Sequence, residues 1–305
     1  MTCPLCRSDG AREILSIPDP LAAARRFDLL RCAACRHVYV SPVPADLGAY
    51  YPGTYWSGDR PATLASRAEA AYRAALLALD VRRIASHAPR GARVLDVGCG
   101  SGDLAASLAR AGFAVTGVEV APDAAEAARR RHGLDVRTGT LAAADFPAGS
   151  FDVAVVWHVL EHVPDPAGLL ADVARVLRPG GVAIVQVPNF GSIQAGVFGA
   201  RWFALDVPRH LHHFTPATLA RTLEAAGFQA GAVKHGSLRH DPVILASSLW
   251  PALGPHAMER AGAAAKAAYL GLTWLAAPLT LVERACRRGA VITIAGSRPV
   301  RAEVQ

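Results

Sequence analysis

No run of 18 or more uncharged apolar residues occurs in the chain, which by run length excludes a conventional transmembrane helix. The first residues, Met-Thr-Cys-Pro, lack a basic stretch followed by an apolar one, so no secretory leader is read there and the expected location is the cytoplasm. Lysine is almost missing: of 32 basic residues only Lys234 and Lys266 are lysines. Five like charges never follow one another, so the net charge of +7 is weak support for a nucleic-acid partner and fits an anionic small substrate or a membrane surface equally well. What is abundant excludes disorder. Of 305 residues, 52% are hydrophobic and 19% charged, enough for a packed main domain with additions.

Charge is uneven along the chain. Residues 1–90 carry 12 Lys/Arg against 8 Asp/Glu, residues 91–190 carry 8 against 11, and residues 191–305 carry 12 against 6. The middle is acidic and the flanks are basic.

Four of the six cysteines form two C-x2-C knuckles, Cys3-Pro-Leu-Cys6 and Cys32-Ala-Ala-Cys35, separated by 25 residues. Four thiolates from two tight turns can close a tetrahedral shell around Zn²⁺. In a chain read as cytosolic, disulfides are the poorer reading. A closed shell leaves no open position, so such a zinc holds the fold and does no chemistry. His37 follows the second knuckle and is read as packing beside the site. Val38–Pro42 reads as a short strand, Tyr50–Trp56 as a dense aromatic turn, and residues 62–87 as a helix.

Arg93-Val94-Leu95-Asp96-Val97 is a short apolar strand that enters Gly98-Cys99-Gly100-Ser101-Gly102 and then a helix. A glycine turn between strand and helix lets a ligand approach the backbone, with helix N–H groups aimed at it. Asp103 stands where the dinucleotide fingerprint wants a third small residue, and no Lys-Ser/Thr follows, so this is neither that fingerprint nor a P-loop. A second strand, Ala114–Val118, ends at Glu119, whose carboxylate can accept both hydroxyls of a ribose. Further strands at 135–137, 151–156 and 182–187 alternate with helices, which indicates a doubly wound parallel sheet.

These residues resemble a known family. Val94 to Gly102 is similar to motif I of class I S-adenosylmethionine-dependent methyltransferases; Phe151-Asp152, Trp157 to Pro166, and Leu177-Arg178-Pro179-Gly180-Gly181 match later motifs in the right order. The resemblance covers roughly residues 80–235. It implies a Rossmann-like α/β sheet of seven strands whose last strand, near 290–295, runs antiparallel. It places Asp96, Gly98, Cys99, Gly100 and Gly102 at the methionine part of the cofactor and Glu119 with Val120 at the ribose. Thr140 and Leu141 then flank the adenine, and Trp157 closes the fourth strand's tip; Thr140 stands where an acidic residue is frequent. Five segments follow: a zinc-ribbon-like segment (1–45), an aromatic turn and lead-in helix (46–90), the cofactor-binding core (91–240), an apolar helical insertion (241–289) and a last strand with its tail (290–305).

His158-Val-Leu-Glu161-His162 spells H-x-x-E-H, a metalloprotease signature that requires a helix. Here it lies at a strand tip and Pro164 stops any helix after about one turn, so a peptidase is rejected. A divalent cation remains an option, since quinone-type O-methyltransferases similar in this stretch can use one. Beyond the fifth strand, Trp202 to Pro216 contains Asp206-Val-Pro208-Arg209-His210-Leu-His212-His213, which resembles the substrate loop of small-molecule methyltransferases. Arg209 is read as gripping an anionic group and His210 as positioning the acceptor. Methyl transfer from a sulfonium needs alignment, and a hydroxyl or carbon acceptor also needs a proton removed; His158 and His210 are both candidate bases.

Residues 241–289 are strongly apolar. Ala267–Val282 holds 16 uncharged residues bracketed by Lys266 and by Arg284, Arg287 and Arg288, too few to span a bilayer. They read either as an interfacial helix pair or as a buried cap or dimer interface. The function expected is methyl transfer from S-adenosylmethionine to a hydroxyl or carbon of a small acceptor (a sugar, a lipid-linked precursor or a natural product, with an anionic group as one option), with structural Zn²⁺. The alternative is a zinc-ribbon RNA methyltransferase, disfavoured because Trp157-His158 replaces the Asn/Asp-Pro-Pro-Tyr of many base-methylating enzymes and no stacking platform is interleaved with the basic residues.

Overall fold

The computed structural model describes residues 2–51, 64–253 and 261–300. Of the aromatic turn, residues 52–56 lie outside the described residues. The chain divides into two compact units: Tyr51–Gln186, Ala220–Ala232 and Ile294–Gln305 form the core unit, while Met1–Tyr50, Val187–Leu219 and Val233–Thr293 form the cysteine unit. These units cut across the five sequence segments, because residues 1–45 share one unit with 187–219.

In the cysteine unit, β1 (Ala11–Asp19) and β2 (Ala22–Cys32) form an antiparallel hairpin between the two knuckles. Strand β3 (Val38–Ser41) pairs with β2, and β9 (His212–His213) pairs with β3, giving the order β1-β2-β3-β9. Side chains alternate across strands. Phe27, Leu29, Val38 and Val40 therefore share one face, packed with Trp202, Ala204 and Leu205. Leu30, Cys32 and Tyr39 share the other, packed with Cys3 and Cys35.

The core unit carries the doubly wound layers. Helix α1 (Leu64–Ala85) leads in, followed by β4 (Arg93–Val97), α2 (Asp103–Arg110), β5 (Ala114–Glu119), α3 (Pro122–His132) and β6 (Asp135–Thr138). Strand β7 (Phe151–Trp157), α4 (Pro166–Val176) and β8 (Leu177–Pro188) continue the alternation. The β4/β5, β4/β7, β5/β6 and β7/β8 pairs are all parallel. Runs such as Val153–Val156 are buried on both faces, as helices on both sides of a parallel sheet demand. Helix α3 starts at proline and stops at Gly133 in the left-handed conformation; α4 starts at Asp165, whose carboxylate accepts from the Gly168 N–H at 3.0 Å.

The full sheet order is β10-β12-β8-β7-β4-β5-β6, where β12 (Val291–Ser297) runs antiparallel to β10 (Gln229–Ala230) and β11 (Lys234–His235). The seven-strand expectation holds in position. The sixth place is split into two short strands, so eight strands are counted among the described residues. Helix α6 (Pro216–Ala225) precedes them, and α5 (Ile193–Phe198) lies in the other unit.

Between β11 and β12 lie α7 (Asp241–Leu249) and α8 (Ala263–Ala285). The second extends past the 16 uncharged residues: α8 has 23, because Lys266, Glu283 and Arg284 are taken into the helix and Pro278 does not end it. By length and composition alone, Ala264–Ala285 is long and apolar enough to cross a membrane.

Candidate active site

The glycine loop is shaped by one carboxylate. Glu119, at the tip of β5, is 3% exposed; its Oε2 accepts the Gly100 N–H at 2.8 Å and its Oε1 accepts the Ala121 N–H at 2.9 Å. Gly98 and Cys99 donate to the Val118 carbonyl at 2.7 and 3.1 Å, so the loop after β4 is stitched to the end of β5. Gly98 has φ +68°, and a Cβ there would lie 2.5 Å from Val159 Cγ2. Only glycine fits. Gly102 (φ +84°) opens α2 under the same restriction, with Ala128 at 2.9 Å from such a Cβ. A carboxylate has about four lone-pair sites, so Glu119 can hold the loop and still accept ribose hydroxyls.

Beside it, Asp96 is 2% exposed and its Oδ2 has no hydrogen-bond partner. Burial, with the nearby Glu119 carboxylate, pushes its carboxyl up to about 7. An orphaned acid in a glycine cradle is what a cationic ligand would satisfy, and S-adenosylmethionine carries a sulfonium and an ammonium. The residues fit that cofactor. A cation holds Asp96 ionised, so binding should release a proton, and affinity should rise about tenfold from pH 6 to pH 8 as that proton's cost disappears. Calorimetry in buffers of different ionisation enthalpy checks this; a flat affinity with no proton release contradicts it.

The remaining expected cofactor residues are placed less uniformly. Val120 is exposed. The Thr140 hydroxyl accepts the Ala143 N–H at 3.2 Å, and Leu141 is buried in the core. The half-buried Trp157 has an indole N–H without a hydrogen-bond partner. Cys99 is buried, and burial raises its thiol.

His158 follows β7 in the left-handed conformation, with φ 55°. Its Nε2 lies 3.0 Å from Gln186 Oε1 and its Nδ1 3.3 Å from Glu161 Oε1. His162 Nδ1 lies 3.0 Å from the Tyr51 hydroxyl. Residues 158–162 form turns, not a helix, so the metalloprotease geometry does not arise. Both ring nitrogens of His158 are thus engaged by its own unit.

His210, in the cysteine unit, is arranged differently. Its Nδ1 lies 2.9 Å from the Ala204 carbonyl, which can only accept. In the neutral ring that contact puts the proton on Nδ1. Asp206 Oδ2 lies 3.8 Å from Nε2. Two donors of Arg209, Nε at 3.0 Å and Nη2 at 2.5 Å, bond Asp206 Oδ1. Arg209 therefore fixes the carboxylate that faces His210, a partnership the sequence reading missed although the i, i+3, i+4 spacing spelled it.

Residues 70–232, just over half of the chain, match the profile of a family described as a methyltransferase domain. The chain belongs to that family. The ubiquinone biosynthesis O-methyltransferase of Xanthomonas axonopodis pv. citri is 39% identical over 153 residues, 46% of this chain and 64% of the relative. The match thus spans a little under two thirds of that relative's length. Among solved structures, a putative sarcosine dimethylglycine methyltransferase from Galdieria sulphuraria shares the fold, at TM-score 0.53 and 16% identity over 76% of this chain and 88% of that one. The [4+2]-cyclase SpnF aligns at TM-score 0.51 and 25% identity, over 73% and 80%.

The chain also holds a cluster of thiols. Cys3 and Cys35 Sγ are 3.6 Å apart, as are Cys6 and Cys32 Sγ, and all four sulfurs lie within 4.8 Å of one another. All are free thiols. A tetrahedron with Zn–S bonds near 2.3 Å has S–S edges of about 3.8 Å, whereas a disulfide is about 2.05 Å. Burial pushes the Cys3 and Cys35 thiols up. At Cys6 burial acts in the same sense, but hydrogen bonds from Ser8 and the neighbouring thiols outweigh it and bring the thiol down to about 6. His37 is fully buried with Nε2 3.0 Å from His212 Nδ1; burial and His212 hold it neutral. It ties β3 to β9, as packing beside the cysteines.

Proposed function

We propose that this methyltransferase methylates an oxygen of a small, hydroxyl-bearing acceptor, with the cofactor cradled by Gly98, Gly100, Gly102, Asp96 and Glu119. The observation that carries this reading is the buried Asp96–Glu119 pair around the glycine loop: an orphaned acid for a cation beside a carboxylate for a ribose. The choice of oxygen rests on the curated relative, named as a ubiquinone biosynthesis O-methyltransferase. The RNA alternative finds no support in it. An acceptor with a lipid tail agrees with that relative's name and would bring the protein to a membrane surface.

Bound in the cradle, S-adenosylmethionine would supply a methyl on a sulfonium, an activated carbon with its own leaving group. The chain's own work is alignment and proton removal. Of the two candidate bases, His210 is preferred: the Ala204 carbonyl sets the tautomer of its neutral ring, Asp206 faces its Nε2, and Arg209 holds Asp206. His158, held between Glu161 and Gln186, supports the loop after β7. The four cysteines would bind structural Zn²⁺. Arg209→Ala should raise KM for the acceptor about tenfold through the lost charge-assisted bonds to Asp206, with the cofactor Kd unchanged. Labelled-methyl transfer into metabolite extracts, followed by kinetics on the accepted compound, checks both parts. Transfer to structured RNA alone, or equal losses in acceptor and cofactor binding, contradicts the proposal.

A further inference from the structure

Helix α8 presents its polar side inward and its apolar side outward. Thr273, Ala276, Thr280 and Glu283 form its buried stripe, at helical spacing. On that side Tyr269 and Ser247 of α7 join hydroxyls at 3.0 Å, and the Glu283 carboxylate accepts from Gln194 Nε2 at 2.8 Å. Exposed instead are Trp274, Leu275, Leu279, Leu281 and Val282; Leu275 is 77% and Trp274 61% exposed. At 3.6 residues per turn these five fall within an arc of about 160°. A helix whose outer face meets water shows the reverse pattern. Leu249 and Trp250, where α7 ends, are exposed as well.

The charges at the helix ends identify what covers this face. Lys266 stands at one end and Arg284, Arg287 and Arg288 at the other, all exposed. Glu283, the only acid in residues 261–290, is buried and bonded to Gln194. We propose that the outward face of α8 seats in the boundary between headgroups and acyl chains of an anionic membrane, with these four cations at lipid phosphates. A second copy is a poorer occupant: paired through this helix, parallel or antiparallel, the copies would set cations against cations. Crossing the bilayer is also disfavoured, because the inner stripe is polar and hydrogen-bonded to α7 and Gln194. This surface goes beyond the methyl-transfer reading and is tested by binding, not turnover.

The test uses the full chain with vesicles of phosphatidylcholine, with and without phosphatidylglycerol, at about 20 mM salt, where screening is weak. The wild type should cosediment with the anionic vesicles and shift its tryptophan emission to the blue. Leu275→Glu with Leu279→Glu should lower partition about a hundredfold, since charge replaces buried methylenes. Arg287→Glu with Arg288→Glu should erase the preference for anionic over neutral lipid. Leu275→Ala with Leu279→Ala is a milder pair, and unchanged cofactor binding certifies the fold of each variant. No wild-type binding at low salt overturns the proposal. So does a wild-type dimer that the glutamates convert to monomer, which would assign the face to a second copy. Resistance to carbonate extraction overturns it too, by showing a spanning helix.

Discussion

Glu119→Ala should weaken S-adenosylmethionine binding about a thousandfold. The carboxylate is buried and accepts two main-chain N–H groups, from Gly100 and Ala121. Removing it leaves both donors unpaired beside the ligand and takes away the acceptor for the ribose hydroxyls. Losses of about 1.5–3 kcal/mol for each hydrogen bond to a charged group bring the total near 4 kcal/mol, or three powers of ten. Glu119→Gln should recover little of this, because its amide NH₂ must face one of the two N–H donors. Calorimetry reads the affinity, and thermal melting without ligand separates a lost ligand contact from a lost fold. Wild type that ignores S-adenosylmethionine, or that binds NADH instead, would end the reading of the cradle.

The cradle was legible in the sequence because its chemistry is local in the chain. Strand, glycine turn and the carboxylate at the next strand's tip lie within residues 93–119, and the parallel register of β4 and β5 brings them together. Strand positions were equally legible, since apolar runs such as Phe151–Val156 must be covered on both faces. Helix α8 was misread in length because run counting stops at the first charge, whereas a helix tolerates Lys266 and Arg284 at its ends, where their long side chains reach outward. The pairing of β3 with β9 was invisible, because strands of four and two residues, about 170 positions apart, carry no periodic signal. The contacts on which the proposal prefers His210 over His158 were hidden for a related reason. A tautomer is set by whichever acceptor the fold places at each ring nitrogen, and neither Ala204 O nor Gln186 is marked by any motif.

Cys32→Ser should abolish the zinc binding proposed for the four cysteines and impair acceptor use while leaving cofactor affinity intact. The sulfur spacing of 3.6 Å suits a tetrahedral ion, and a site of four thiolates contributes about 10 kcal/mol to the folding of small metal-bound segments. Its loss should travel along a physical chain of contacts. The Cys32 N–H donates to the His37 carbonyl at 2.9 Å, and His37 leads directly into β3. Strand β3 holds β9 through the Val38/His213 and Tyr39/His212 pairs, and the Val40 N–H donates to the Leu211 carbonyl at 2.9 Å. His37 and His212 add their own contact at 3.0 Å. The reverse face of the same strands packs on Trp202, Ala204 and Leu205, next to the segment that carries Asp206, Arg209 and His210. The cysteines therefore anchor the loop assigned to the acceptor, whereas Asp96, the glycines and Glu119 belong to the other unit. Elemental analysis should find one zinc per wild-type chain and none in the variant. KM for the acceptor should rise at least about tenfold, as expected when positioning contacts are lost, with the cofactor Kd within about a factor of two. If Cys32→Ser yields no folded protein, stepwise chelation of the wild type gives the same reading: acceptor KM should climb as zinc leaves. A disulfide among these thiols, or cofactor affinity falling in step with acceptor affinity, would show that the cysteines do not act through this loop.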